Sequence, residues 1–202
     1  MKIMNSTVTR CRSEHSVEGI IAQHMSEPPS IFTIGHSTRT IPEFVELLRV
    51  GDVELVVDIR SMPRSRTNPQ FNLDALPETL ASWQIGHTVI PKLGGLRKRS
   101  KTISPDVNGF WNNKSFHNYA DYALSSEFHL GLSRLLEVSR DRRCAIMCSE
   151  AVWWRCHRWI VADYLLHRGR IVFHLMGRAR IEPTKLNAAA MESGDALVYP
   201  AG

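Results

Sequence analysis

Apolar residues along this chain recur in two spacings, and the alternation between them sets the expected fold class. Ile31-Phe32-Thr33-Ile34, Val53 to Ile59 and Cys144 to Cys148 are short, nearly unbroken apolar runs, the pattern of strands buried on both faces. Between the first two, apolar residues return every third and fourth position at Ile41, Phe44, Val45, Leu47 and Leu48, which predicts a helix. Thr40-Ile41-Pro42-Glu43 gives that helix a capping box with proline just inside its start, and Gly51 is expected to end it. Further on, the pattern predicts a helix over 73–83, a short strand at His87 to Ile90, and a helical stretch from Ser115 to Arg140 broken near Ser125-Ser126. Tyr119, Tyr122, Phe128, Leu132, Leu135 and Leu136 are its candidate core positions. The strand ending at Cys148 runs into a helix expected to open at Trp153 and stop at Gly169, and Arg170 to Leu175 is a last strand.

Strand, helix, strand in that order implies parallel pairing through right-handed crossovers. The expected class is α/β: a single domain with a mostly parallel open sheet and helices on both faces, a Rossmann-like three-layer arrangement. Residues 1–30, polar and closing on Glu27-Pro28-Pro29-Ser30, read as a mobile arm, 31–180 as the domain, and the Ala-rich, weakly patterned 181–202 as a C-terminal tail. A chain of 202 residues can bury a core without staples. Its apolar runs fall far short of the ~20 residues of a membrane span, and Gly19-Ile20-Ile21-Ala22 is too brief for a secretory signal, so a cytoplasmic protein with no membrane partner is expected. Cys144 and Cys148, four steps apart on one strand, lie ~13 Å apart and cannot pair, which suits free thiols in a reducing compartment. A net charge of +5 permits anionic partners without requiring them. Oligomeric state is not legible in the pattern.

Candidate chemistry collects where strands end. Asp58 and Arg60, two apart, face one side near the end of their strand, and Arg64 and Arg66 follow in a loop stiffened by Pro63 and Pro69. Planar guanidinium forks on such a loop make an anion clamp, the alternative being a structural ion pair between Asp58 and Arg60. Cys148 is a candidate nucleophile favoured as thiolate by Arg155 or Arg158, or else a small buried hydrophobe. Glu150 would oppose the thiolate unless an arginine neutralises it, and Glu150 or His36 is the candidate proton-transfer group. A phosphatase loop would require arginine where Trp154 stands. For zinc, Cys148, Cys156, His157 and His36 match no familiar ligand spacing, and Cys156 and His157 as neighbours on a helix would point about 100° apart, so no metal is expected. Neither a dinucleotide glycine fingerprint nor a Walker loop occurs, and no cofactor is expected. The stretch Lys92 to Lys101 with Phe110-Trp111 mixes cations with rings, as a nucleic-acid surface would, or is a solvated loop pinned by its aromatics.

Thr33-Ile34-Gly35-His36-Ser37, then Asp58-Ile59-Arg60-Ser61 with Pro63, Ser65-Arg66, Pro69 and Phe71-Asn72, resembles the domain-of-unknown-function 488 family. Leu93-Gly94-Gly95, Tyr119-Ala120-Asp121-Tyr122, Glu127-Phe128, Met147-Cys148, Glu150 and Cys156-His157-Arg158 continue the likeness over roughly 31–175. The resemblance implies a compact α/β fold and a shared site and gives no reaction. Ala151-Val152-Trp153-Trp154 departs from the family's smaller, proline-containing sequence, which implies a bulkier approach to the site. The residues themselves point to a small enzyme, a thiol-dependent transferase or hydrolase, holding a phosphorylated or nucleotide-like anion with Asp58, Arg60, Arg64, Arg66, Arg155 and Arg158. The alternative is a non-catalytic nucleic-acid-binding module using the same basic residues.

Overall fold

In the computed structural model, residues 28–177 and 180–202 are described. The arm expected over 1–30 lies outside them as far as residue 27. Five parallel strands, β1 (Ile31–Gly35), β2 (Leu55–Asp58), β3 (Gly86–Val89), β4 (Cys144–Cys148) and β5 (Val172–Met176), are joined at one edge by the antiparallel β6 (Arg180–Pro183). Their order across the sheet is β3-β2-β4-β1-β5-β6, so β4 returns to the centre between β2 and β1. Five helices complete the layers: α1 (Ile41–Val50), α2 (Leu76–Ala81), α3 (Lys114–Ala123), α4 (Ser126–Val138) and α5 (Arg158–His167). The class is the expected one, a single-domain α/β fold with a mostly parallel sheet.

The central strands are apolar on both sides because both sides are covered. Alternate residues feed separate cores: Leu55, Val57, Cys144 and Ile146 pack toward α3, α4 and α5, and Val56, Ala145 and Met147 toward α1 and α2. The capping box forms as the sequence dictates, with Thr40 accepting from the amide of Glu43 and Glu43 reaching back to Thr40. The expected break near Ser125 is real, since Ser125 caps α4 through the amide of Phe128 at 3.3 Å.

One reading needs correction. The helix expected from Trp153 is a single 3₁₀ turn, Trp153–Arg155, and at Cys156 the chain is extended (φ −134°, ψ 144°) before α5 begins at Arg158. The weakly patterned tail is docked: β7 (Met191–Ser193) and β8 (Ala196–Val198) form a hairpin, and Leu197 and Tyr199 are buried. Tyr199 donates to Asp163 Oδ2 at 3.0 Å and Asn187 donates its amide to Asp163 Oδ1 at 3.0 Å, contacts between distant segments that local periodicity does not encode. Among the described residues, no helix is long and apolar enough to cross a membrane.

Candidate functional site

β1, β2 and β4 end side by side, and the chain leaving each of them lines one cleft of about 600 Å³. In open α/β sheets this edge is where ligands gather. His36, Arg60, Arg64, Cys148, Glu150 and Arg155 reach it, together with Cys156, His157, Tyr119 and Gly95. Asp58, Arg66 and Arg158 do not line it.

Asp58 lies beneath the cleft as the partner of Arg60. Its Oδ2 accepts from Nη2 at 2.6 Å and its Oδ1 from Nε at 2.9 Å and from the Arg60 amide at 3.0 Å. Arg60 also donates from Nη2 to the carbonyl of Phe71 at 2.7 Å. The structural ion pair weighed for these two residues is therefore present, and it presents Arg60 to the cleft already oriented. His36 completes the frame. Its Nδ1 donates to the carbonyl of Ser37 at 2.9 Å, which leaves Nε2 to accept from Arg60 Nη1 at 3.2 Å, and its ring stacks on Phe71 with centroids 4.3 Å apart. Burial, aided by the Arg60 charge, pushes its pKa down to about 4. With both nitrogens engaged, this imidazole braces Arg60, and the proton-transfer role expected of it finds no free nitrogen.

The rim carries exposed charge. Arg64, Arg155 and Glu150 are exposed, and among the described residues the guanidinium groups of Arg64 and Arg155 have no ion-pair or hydrogen-bond partner. Arg66 is exposed away from the cleft. Arg158 is 1% exposed and works from behind, donating Nη2 to the carbonyl of Glu150 at 2.5 Å and Nε to Cys156 Sγ at 3.4 Å. Gly35 makes this packing possible, since a Cβ there would stand 1.8 Å from the Glu150 carbonyl oxygen.

The floor holds two sulfurs and an imidazole. Cys148 Sγ is 3.9 Å and Cys156 Sγ 3.6 Å from His157 Nδ1. Neighbours on a continuous helix would diverge, but the extended backbone at Cys156 turns Cys156 and His157 both inward, toward the end of β4. The pair of thiols is asymmetric. The neighbouring Cys156 sulfur, with burial, pushes Cys148 up to about 12, whereas for Cys156 burial is outweighed by the Cys148 thiol and by Arg158, lowering it to about 6. Arg158 thus stands beside Cys156 rather than Cys148, and the sulfur it favours as thiolate is Cys156. The signal that could have found it was the run Cys156-His157-Arg158 itself.

Neither tryptophan of the departing segment crowds the cleft. Trp153 stacks on His174 at 4.5 Å and donates to Glu182 at 3.2 Å, which places its bulk against β5 and β6. The basic stretch after Ile90 is tied down in part: Lys92 pairs with Glu127, Arg97 lies 3.7 Å above the ring of Tyr122 and donates to the carbonyl of Gly94 at 2.8 Å, and Trp111 is buried against Phe116, Trp159 and Tyr199. Lys98, Arg99 and Lys101 remain exposed.

No curated protein sequence and no solved structure matches the chain. A family model described as "Domain of unknown function DUF488" matches residues 40–165, a span that holds α1 through α4, most of α5, and both the arginine loop and the sulfur-bearing floor. On that match, and on the α/β fold that carries it, the chain belongs to the DUF488 family.

Proposed function

We propose that this protein is a small enzyme that binds a phosphorylated or nucleotide-like anion in the cleft and acts on it with the groups of the floor. The observation that carries this reading is the juxtaposition of two guanidinium groups unpartnered among the described residues, Arg64 and Arg155, with Cys148, Cys156 and His157 in one cavity. Guanidinium groups without internal partners are free to give charge-assisted bonds to phosphate oxygens, and Arg60, fixed by Asp58, adds a third at no cost in ordering. Ser65 and Ser149 offer hydroxyls along the same wall, whereas Ser61 already donates its proton to the carbonyl of Gly95. A volume of about 600 Å³ accommodates a nucleotide-sized ligand rather than a polymer.

Calorimetric titration with inorganic phosphate, pyrophosphate and nucleoside diphosphates tests it. Binding is expected to weaken roughly tenfold or more in Arg64→Ala/Arg155→Ala, the loss of charged hydrogen bonds, with a shallow dependence on salt. Absence of anion binding overturns the reading. Tight binding of a single-stranded oligonucleotide that collapses between low and moderate salt would favour the nucleic-acid alternative instead.

A further inference from the structure

The floor of the cleft has the geometry of a metal site with one ligand missing. We infer that Cys148, Cys156 and His157 bind zinc, or a similar thiophilic divalent cation, with the fourth coordination position open to the cleft. Their three ligand atoms lie within 4.8 Å of one another. A tetrahedral zinc, with bonds of about 2.3 Å to sulfur and 2.0–2.1 Å to nitrogen, sets a sulfur and a nitrogen ligand about 3.6 Å apart. The distances here are 3.6 Å from Cys156 Sγ and 3.9 Å from Cys148 Sγ to His157 Nδ1. The two sulfurs lie within 4.8 Å of each other, against about 3.8 Å in such a centre, so a shift of at most about 1 Å closes the set.

The surroundings suit the role. His157 Nε2 faces the carbonyl of Ile59 at 3.2 Å, so the ring proton belongs on Nε2 and the lone pair of Nδ1 points at the sulfurs. Such an outer hydrogen bond is what orients a metal-bound imidazole. Gly95 keeps that lone pair accessible, because a Cβ at this position would stand 2.9 Å from Nδ1. Two thiolates and a neutral imidazole cancel the charge of a dication, so Arg158 faces a neutral centre and donates to the Cys156 sulfur without opposing the ion. Sites with three protein ligands and an open fourth position are the catalytic kind, and all three ligands here line the cleft. Binding of the ion stands on these three residues alone; its use as the reactive centre, carrying a water of lowered pKa toward the bound anion, rests on the function proposed above.

The test uses the full chain, reduced, stripped with a chelator and titrated with Co²⁺, then with Zn²⁺ in competition. One equivalent of Co²⁺ is expected to bind with thiolate charge-transfer absorption and the intense visible bands of a tetrahedral centre, and Zn²⁺ is expected to displace it. Cys148→Ser, Cys156→Ser and His157→Gln are each expected to weaken binding beyond the ~10–100-fold that loss of an outer-shell partner costs, with circular dichroism confirming the fold. Protection of two thiols from alkylation by Zn²⁺ in the unmutated protein gives a readout that needs no variant. Cobalt binding without thiolate bands, binding indifferent to Cys156→Ser and His157→Gln, or no binding by the reduced protein overturns the inference. Metal binding with no phosphate binding would leave the ion in place and remove the anion reading, and phosphate binding without metal would do the reverse.

Discussion

Asp58 and Arg60 form a buried pair where β2 ends, Asp58 being its last residue and Arg60 lying just beyond it: Oδ2 and Nη2 are 2.6 Å apart, and the side chains are 0% and 5% exposed. Arg60 is thereby a fixed cation at the edge of a cleft. Removing the carboxylate leaves that cation in low dielectric with only carbonyl and imidazole acceptors. Asp58→Ala is expected to destabilise the protein by about 3–5 kcal/mol in urea denaturation. Replacing both residues with apolar side chains of similar volume is expected to recover much of this loss while abolishing the contribution of Arg60 to anion binding.

Gly35 lies where β1 meets the chain leaving β4. A methyl group there meets the Glu150 carbonyl oxygen at 1.8 Å and the Arg158 guanidinium at 3.0 Å, so the backbone has to move. Gly35→Ala is expected to cost at least ~3 kcal/mol. It should also displace Arg158 from Cys156, which slower alkylation of Cys156 near neutral pH would report, because the thiolate loses the cation that favours it.

Asp163 is a buried carboxyl with two donors and no cation beside it. Burial, against the bonds from the Asn187 amide and Tyr199, raises its pKa to about 7. The folded-state value exceeds the unfolded one, so its contribution to stability is complete below about pH 4 and is lost as the pH rises through 7. Measured against Asp163→Asn, the wild-type protein is expected to lose ~2–4 kcal/mol between pH 4 and pH 8. A difference that stays constant across this range would contradict the assignment.

His174 titrates in the opposite sense. Burial, together with the charge of Arg158, lowers its pKa to about 3, and the ring is held neutral between Thr33 at 2.8 Å and Thr184 at 3.1 Å. The folded-state value lies below the unfolded ~6.5, so stability is full above that pH and falls as acid is added. His174→Gln is expected to flatten the decline between pH 6.5 and 4 in thermal melts taken across that range.

The parts of the fold that were legible in the sequence are those whose burial is local and periodic. β1, β2 and β4 appear as apolar runs because both faces of the sheet are covered, and α1 announces itself through Thr40 and Glu43. Asp58 and Arg60 were legible as a pair because two residues along a strand is one repeat of its faces. What was not legible depends on partners distant in the chain. Cys156 leaves helical geometry between a 3₁₀ turn and α5, and its sulfur is set by the guanidinium of Arg158 and by Cys148 on another element. Tyr199 finds Asp163 across 36 residues, so a segment with little periodicity of its own is nonetheless docked. His36 looked like a free imidazole until Phe71 and Arg60 closed around it.

The central claim, that an anion held by the arginine rim lies directly over the sulfur floor, is tested by alkylation. With metal removed and thiols reduced, the rates at which iodoacetamide modifies Cys148 and Cys156 are measured by mass spectrometry with and without pyrophosphate. Pyrophosphate is expected to slow modification of wild-type protein several-fold and to leave Arg64→Ala/Arg155→Ala unaffected. Equal wild-type rates with and without the anion would contradict the claim, because rim and floor would then not share a ligand.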